Sequence, residues 1–237
     1  MIEILILSFI QGVTEFLPVS SSSHLILVSE YLNFEGQSLS IDVSLHIGSF
    51  LAVVLYFYKD IFNFFKNKFL FLKIFISSVP VMIIGFFLIK FGLIEKIRNL
   101  ETIAWMTIIF GILLYISDRF DLSKGLKKNF SFKAAIIIGL FQILSLIPGV
   151  SRSGIAITAA RLLNFKRIDS AKISFLLSIP ILGAVSFFGL KNLFVLNDVY
   201  LIQLNLLSIL FSFIFSLLTI KYFLKYISKF NLNLFVY

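Results

Sequence analysis

Five runs of apolar residues, 43 to 58, 70 to 90, 102 to 117, 171 to 190 and 203 to 222, recur along the chain. Each is close to the roughly 20 residues that take a helix across a hydrocarbon layer of about 30 Å. Water cannot be the main solvent of such a chain. Of its residues 59% are hydrophobic and 14% charged, and the mean hydropathy is +1.02, far outside the range of soluble domains. Residues 1–237 are therefore expected to form a single integral membrane domain. The first apolar stretch contains Glu3, lacks a basic leader and runs straight into polar sequence, so it reads as mature protein and not as a signal peptide. The absence of cysteine removes disulfides, thiolate metal sites and cysteine nucleophiles together. A net charge of +9 could suggest nucleic acid. Here the lysines sit between apolar runs, as the positive-inside rule produces, and no nucleic acid partner is expected.

Two further stretches, 2 to 32 and 134 to 163, are apolar at their ends but carry proline, glycine and clustered serines in the middle. Pro18, and the pair Pro148 and Gly149, would break a helix at membrane depth and free backbone groups that lipid cannot satisfy. Such breaks belong in a protein-lined cavity, so both stretches read as re-entrant helix pairs. Charge parity agrees. With both stretches re-entrant, 16 of the 21 basic residues share the cytoplasmic side, among them Lys59, Lys73, Lys124, Arg161, Arg167 and Lys225. Glu30, Glu35 and Asp42 take the other side, and Arg152 is left within the membrane.

Sliding the chain by 131 residues aligns 9 to 34 with 140 to 165 without a gap, with eight of 26 positions identical. The matches include Gln11 with Gln142, Ser20 with Ser151, Ser22 with Ser153, and Asn33 and Phe34 with Asn164 and Phe165. The expected architecture is an all-α polytopic membrane protein of about five to six transmembrane helices, built as an inverted-topology repeat with two re-entrant pairs. Repeat 1 covers about 1–117 with the pair at 2–32, and repeat 2 about 134–237 with the pair at 134–163. That design places a binding site at the repeat interface near the midplane.

The first break, Q-G-V-T-E-F-L-P-V-S-S-S-S-H, puts Gln11, Glu15, Ser20, Ser21, Ser22 and His24 within 14 residues of otherwise apolar chain. An ionisable group within the membrane costs at least about 2.5 kcal/mol uncompensated and is a functional candidate by default. Gln11 and Glu15 stand four apart, on one helical face. Glu15 either pairs with Arg152 to hold helices together or takes part in chemistry, and the adjacent serines and histidine favour the second. In the second break, P-G-V-S-R-S-G, Ser151 and Ser153 offer hydroxyls and Arg152 a planar fork of donors suited to phosphate. Gly149 and Gly154 allow close backbone turns. A helix starting near Ser153 adds its N-terminal amides and dipole, and anion binding is expected there. His46, alone in an apolar run after Asp42, is expected to be satisfied by packing and one hydrogen bond.

With T-E-F-L-P-V-S-S followed by a histidine, and P-G-x-S-R-S-G downstream, the chain resembles the undecaprenyl-diphosphate phosphatases, also called bacitracin resistance proteins. The resemblance runs from the N-terminus to about residue 228. It implies hydrolysis of a C55 isoprenyl diphosphate to the monophosphate in the bacterial inner membrane, with the site facing the outer side. That reaction recycles the lipid carrier for peptidoglycan and confers bacitracin resistance. It also implies a divalent cation, Mg or Ca, with Glu15 on the metal side, and it leaves room for a homodimer. By the same resemblance Ser21 matches the nucleophile, His24 the motif histidine, Gln11 and Glu15 the Glu/Gln-x-x-x-Glu element, and Arg152 the essential arginine, with Ser20, Ser22, Ser151, Ser153 and Gly154 around the phosphate.

Ser23 stands where the family often has glycine, and the chain ends at K-Y-I-S-K-F-N-L-N-L-F-V-Y, before the last spanning helix that the resemblance implies. Spacing alone does not discriminate among attack by Ser21, a phosphohistidine route through His24 and direct attack by water. The rival reading is a transporter or flippase for a phosphorylated lipid or anion, since carriers also use inverted repeats and broken helices. A purely structural membrane protein would leave the clustered hydroxyls, histidine and arginine without a task.

Overall fold

The structure is a computed structural model that describes residues 1–34, 38–66, 68–93, 97–120, 123–193 and 199–236. In chain order, α1 (Ile2–Thr14) and α2 (Ser21–Leu32) flank the first break. The helices α3 (Leu39–Tyr56), α4 (Tyr58–Lys66), α5 (Lys68–Lys90) and α6 (Leu100–Asp118) follow. A single turn, α7 (Leu126–Asn129), leads to α8 (Phe132–Ile143) and α9 (Arg152–Leu162), which flank the second break. The long α10 (Arg167–Leu193) and α11 (Val199–Ile227) complete the bundle. Among the described residues the only β-pairing is an isolated bridge between Lys124 and Phe165.

Five helices, α3, α5, α6, α10 and α11, are long and apolar enough to cross a membrane. They are the five runs expected from sequence, each beginning a few residues earlier. Ahead of α3 and α6 the extra residues belong to capped first turns. Ser38 Oγ accepts from the Ile41 amide ahead of α3, and Asn99 Oδ1 accepts from the Thr102 amide ahead of α6. The chain is thus an all-α, multi-pass membrane protein.

Small residues let these helices approach closely, which is how helices associate where lipid is as apolar as the protein core. Along the seam of α3 and α11, Ser49 Oγ lies 3.2 Å from Ser212 Oγ and 2.9 Å from Ser216 Oγ, and Ser44 Oγ donates to Asn205 Oδ1 at 3.1 Å. A Cβ on Gly48 would stand 2.4 Å from the Ile209 carbonyl, and one on Gly139 in α8 would stand 2.5 Å from the Ser77 carbonyl of α5. Where α6, α9, α10 and the C-terminal segment converge, Asp118 is buried and pairs with Arg161 at 3.2 Å and Arg167 at 2.7 Å. It also accepts the Leu232 amide at 2.9 Å.

The two broken stretches share their local geometry. Each pair of short helices packs on its own partner. Each second helix starts after an extended serine, Ser20 or Ser151, and is followed by an asparagine, Asn33 at the C-cap of α2 and Asn164 one residue past the Leu163 C-cap of α9. Asn33 and Asn164 have φ of 50° and 72°, the only non-glycine residues with positive φ among those described. At each end the next phenylalanine amide closes back by five residues, Phe34 onto Ser29 and Phe165 onto Ala160.

Candidate active site

The first break begins where α1 runs out. Glu15 keeps helical geometry, its amide bonded to the Gln11 carbonyl, so its side chain rises one turn beyond that of Gln11 on the same face. Its carboxylate collects three donors. Gln11 Nε2 reaches Oε2 at 3.0 Å, Ser21 Oγ reaches Oε2 at 2.7 Å, and Arg152 Nη2 reaches Oε1 at 2.5 Å. Phe16 turns inward against Phe175 of α10, ring centroids 5.3 Å apart, and fixes the depth of the break.

Ser20 precedes α2, and the four successive serines divide by direction. Ser23 Oγ donates to Ser20 Oγ at 2.9 Å, Ser21 turns to Glu15, and Ser22 is exposed with only a loose 3.4 Å contact to Ser20. His24 Nδ1 donates to the Ser20 carbonyl at 2.6 Å, since a carbonyl can only accept. That tautomer leaves Nε2 as the imidazole's acceptor.

The second break is built on Gly149, whose φ of +97° is left-handed backbone and whose Cβ would lie 2.6 Å from the Ile103 carbonyl, so only glycine fits. Ser151 caps α9 through Oγ, which accepts the Gly154 amide at 3.1 Å and lies 3.1 Å from Ser153 Oγ. Arg152 is the first residue of α9, at the positive end of the helix dipole.

The breaks meet. Besides the ion pair of Arg152 and Glu15, whose side chains are 16% and 6% exposed, the Ser153 hydroxyl donates to the Leu17 carbonyl. A Cβ on Gly154 would come within 3.4 Å of the Pro18 carbonyl. Two buried polar atoms in this cluster lack a partner, Arg152 Nη1 and Gln11 Oε1. A buried donor left unmade costs about 1–3 kcal/mol, and this guanidinium nitrogen stands beside a helix N-terminus. Between the breaks and α6 lies a cavity of about 230 Å³. Ser20, His24 and Ser151 line its polar wall, and Phe110, Leu114 and Ile155 its apolar wall.

The sequence matches the model of the bacitracin resistance protein BacA family over residues 4–237. The chain belongs to the BacA family. Its similarity extends to a Pelagibacter ubique undecaprenyl-diphosphatase, 51% identical over 236 residues that cover 99% of this chain and 92% of the relative. A Saccharophagus degradans undecaprenyl-diphosphatase is 41% identical across 97% of this chain and 91% of its own length.

In this BacA-family chain every residue singled out from the two motifs lies in or beside one cluster, with Ser22 at its exposed edge. One link differs from the simplest expectation, because the Ser21 hydroxyl is bonded to Glu15 and no hydrogen bond joins it to His24. His46 behaves as expected, its Nδ1 donating to the Asp42 carbonyl at 2.7 Å. Sequence reasoning missed the Leu17 carbonyl, Thr107 of α6, whose hydroxyl donates to the Gly149 carbonyl at 3.4 Å, and Phe235 and Val236, which also line the cavity. A backbone acceptor carries no signal in the side-chain pattern. The other three lie far from both motifs along the chain.

Proposed function

We propose that this chain hydrolyses undecaprenyl diphosphate to undecaprenyl phosphate and inorganic phosphate, recycling the lipid carrier for peptidoglycan synthesis and conferring bacitracin resistance. The observation that carries the reading is the junction of the breaks. A hydroxyl bonded to a carboxylate stands beside a guanidinium with one buried, unpartnered nitrogen. Those are the parts needed for displacement at phosphorus.

On this reading Arg152 Nη1 binds a terminal phosphate oxygen, aided by the dipole of α9 and the hydroxyls of Ser151 and Ser153. Ser21 Oγ attacks the terminal phosphorus in line. The Oγ–P bond forms, the bridging P–O bond breaks, the lipid monophosphate leaves, and Glu15 takes the hydroxyl proton. Water activated by His24 Nε2 then splits the phosphoserine and releases inorganic phosphate. Ser20, Ser22 and Gly154 shape the phosphate pocket around these groups. Among the described residues no three His, Cys, Asp or Glu side chains converge, so the protein alone does not build a full metal cage. The Glu15 carboxylate and the unpartnered Gln11 Oε1, on residues joined by the Gln11 Nε2 hydrogen bond, are nevertheless hard oxygen ligands. These oxygens would hold a Mg or Ca ion. Such an ion, when bound, would neutralise phosphate charge.

The matched asparagine caps and serine starts of the two broken stretches support an inverted-topology duplication, and the excess of basic residues on one side supports insertion in the bacterial inner membrane. We place the reaction at its outer side. The test is phosphate release from undecaprenyl diphosphate by purified protein in detergent, with and without divalent cation. Cation-dependent release that is lost in Arg152→Ala supports the phosphatase. No release by folded protein that still binds the lipid would instead favour the transporter.

A further inference from the structure

Several of the described glycines are explained by what surrounds them, and Gly111 is not. Cβ atoms on Gly12, Gly48, Gly139 and Gly189 would collide with a neighbouring helix, and Gly92 and Gly149 have left-handed backbone. Gly111 lies within α6, where glycine is the least favourable residue apart from proline. A Cβ there would meet nothing within 4 Å. Neither the backbone nor packing requires glycine at this position.

The space in front of Gly111 is the cavity between the breaks. Thr107, Gly111 and Leu114 recur at helical spacing, so they form one stripe of α6 that faces the cavity. Across from the stripe stand Ser20, His24 and Ser151, and Phe235 and Val236 close another side. The lining is polar at Ser20, His24, Ser151 and Thr107 and apolar at Phe110, Leu114, Ile155, Phe235 and Val236, and a lipid diphosphate is likewise polar at one end. At about 230 Å³ the cavity is smaller than the roughly 300 Å³ at which drug-sized pockets begin. A cavity of that size has room for one end of such a lipid and would leave the rest of the lipid's chain in the bilayer.

We infer that Gly111 is a specificity-determining position, its missing side chain being the room in which the first isoprene units of the substrate seat. The inference rests on the phosphatase reading for the identity of the lipid. It is tested with Gly111→Ala and Gly111→Leu, using farnesyl diphosphate for turnover and a non-hydrolysable farnesyl methylenediphosphonate for equilibrium binding. The leucine variant should raise KM and the analogue's Kd at least tenfold, with kcat near that of the parent protein. The alanine variant should fall between, and the thermal midpoint should hold or rise in both, since both residues are better helix formers. Unchanged KM and Kd in Gly111→Leu would overturn the assignment. If the parent protein binds the analogue but releases no phosphate, the phosphatase reading fails, and the binding series still decides the role of Gly111.

Discussion

The two broken helix pairs start from similar sequence and end in different surroundings. In the second pair α9 is buried on all sides from Ser153 to Arg161, and its far end is bolted down by the pairing of Arg161 with Asp118. In the first pair α2 buries only Ser23, Leu25 and Ser29, while Ser22, His24 and Tyr31 are exposed. A helix enclosed on every side has few alternatives open to it, whereas a helix packed on one face can adjust. The pair that holds the phosphate-type arginine is therefore the rigid one. The pair that brings carboxylate, hydroxyl and imidazole is the more accessible one.

Perturbing each side should separate rigidity from chemistry. The largest effect is expected on stability, from Asp118→Ala. Removing the shared anion strands the buried Arg161 and frees the partly exposed Arg167, and should cost about 3–5 kcal/mol, measurable as a lowered unfolding midpoint in detergent. Arg152→Ala should cut kcat/KM by about 10²–10³-fold, the usual effect of losing a donor aimed at developing charge, in a protein that still folds. Within the first pair, Ser21→Ala should lower kcat by at least about 10²-fold while Ser22→Ala stays within a few-fold. Equal losses would show that the serines act interchangeably and that the contact of Ser21 with Glu15 does not select the nucleophile. The smallest effects should come from the matched caps. Asn33→Ala and Asn164→Ala should each cost about 1 kcal/mol, because alanine pays for left-handed backbone that asparagine tolerates. A cost at only one site would break the structural equivalence of the two ends.

The five spanning helices were legible because their apolar length has no other use. Both breaks were legible as well, from proline and glycine lying among serines. Proline alone would have misled. Pro80 and Pro180 sit inside continuous helices, whereas Pro18 and Pro148 stand at breaks, and the difference lies in the polar residues that follow them. Gln11, Glu15, Ser21 and Arg152 could be named from motif chemistry, yet the bond from Ser21 to Glu15 depends on how the chain turns between Phe16 and Ser20, which spacing does not fix. Asp118 was not legible at all. It ends an apolar run, and its partners Arg161 and Arg167 read from sequence as ordinary cytoplasmic charges. Only the fold brings all three together and buries Asp118 and Arg161.

The central claim is that Glu15 from one break and Arg152 from the other act on one substrate as a unit. A double-mutant cycle on kcat/KM for undecaprenyl diphosphate, with Glu15→Gln, Arg152→Lys and the pair combined, tests it most directly. The double variant should lie within about threefold of the worse single variant, because residues that work as a unit lose their joint effect once either is gone. Losses that multiply would mean that the two residues act independently and would contradict a single site at the junction.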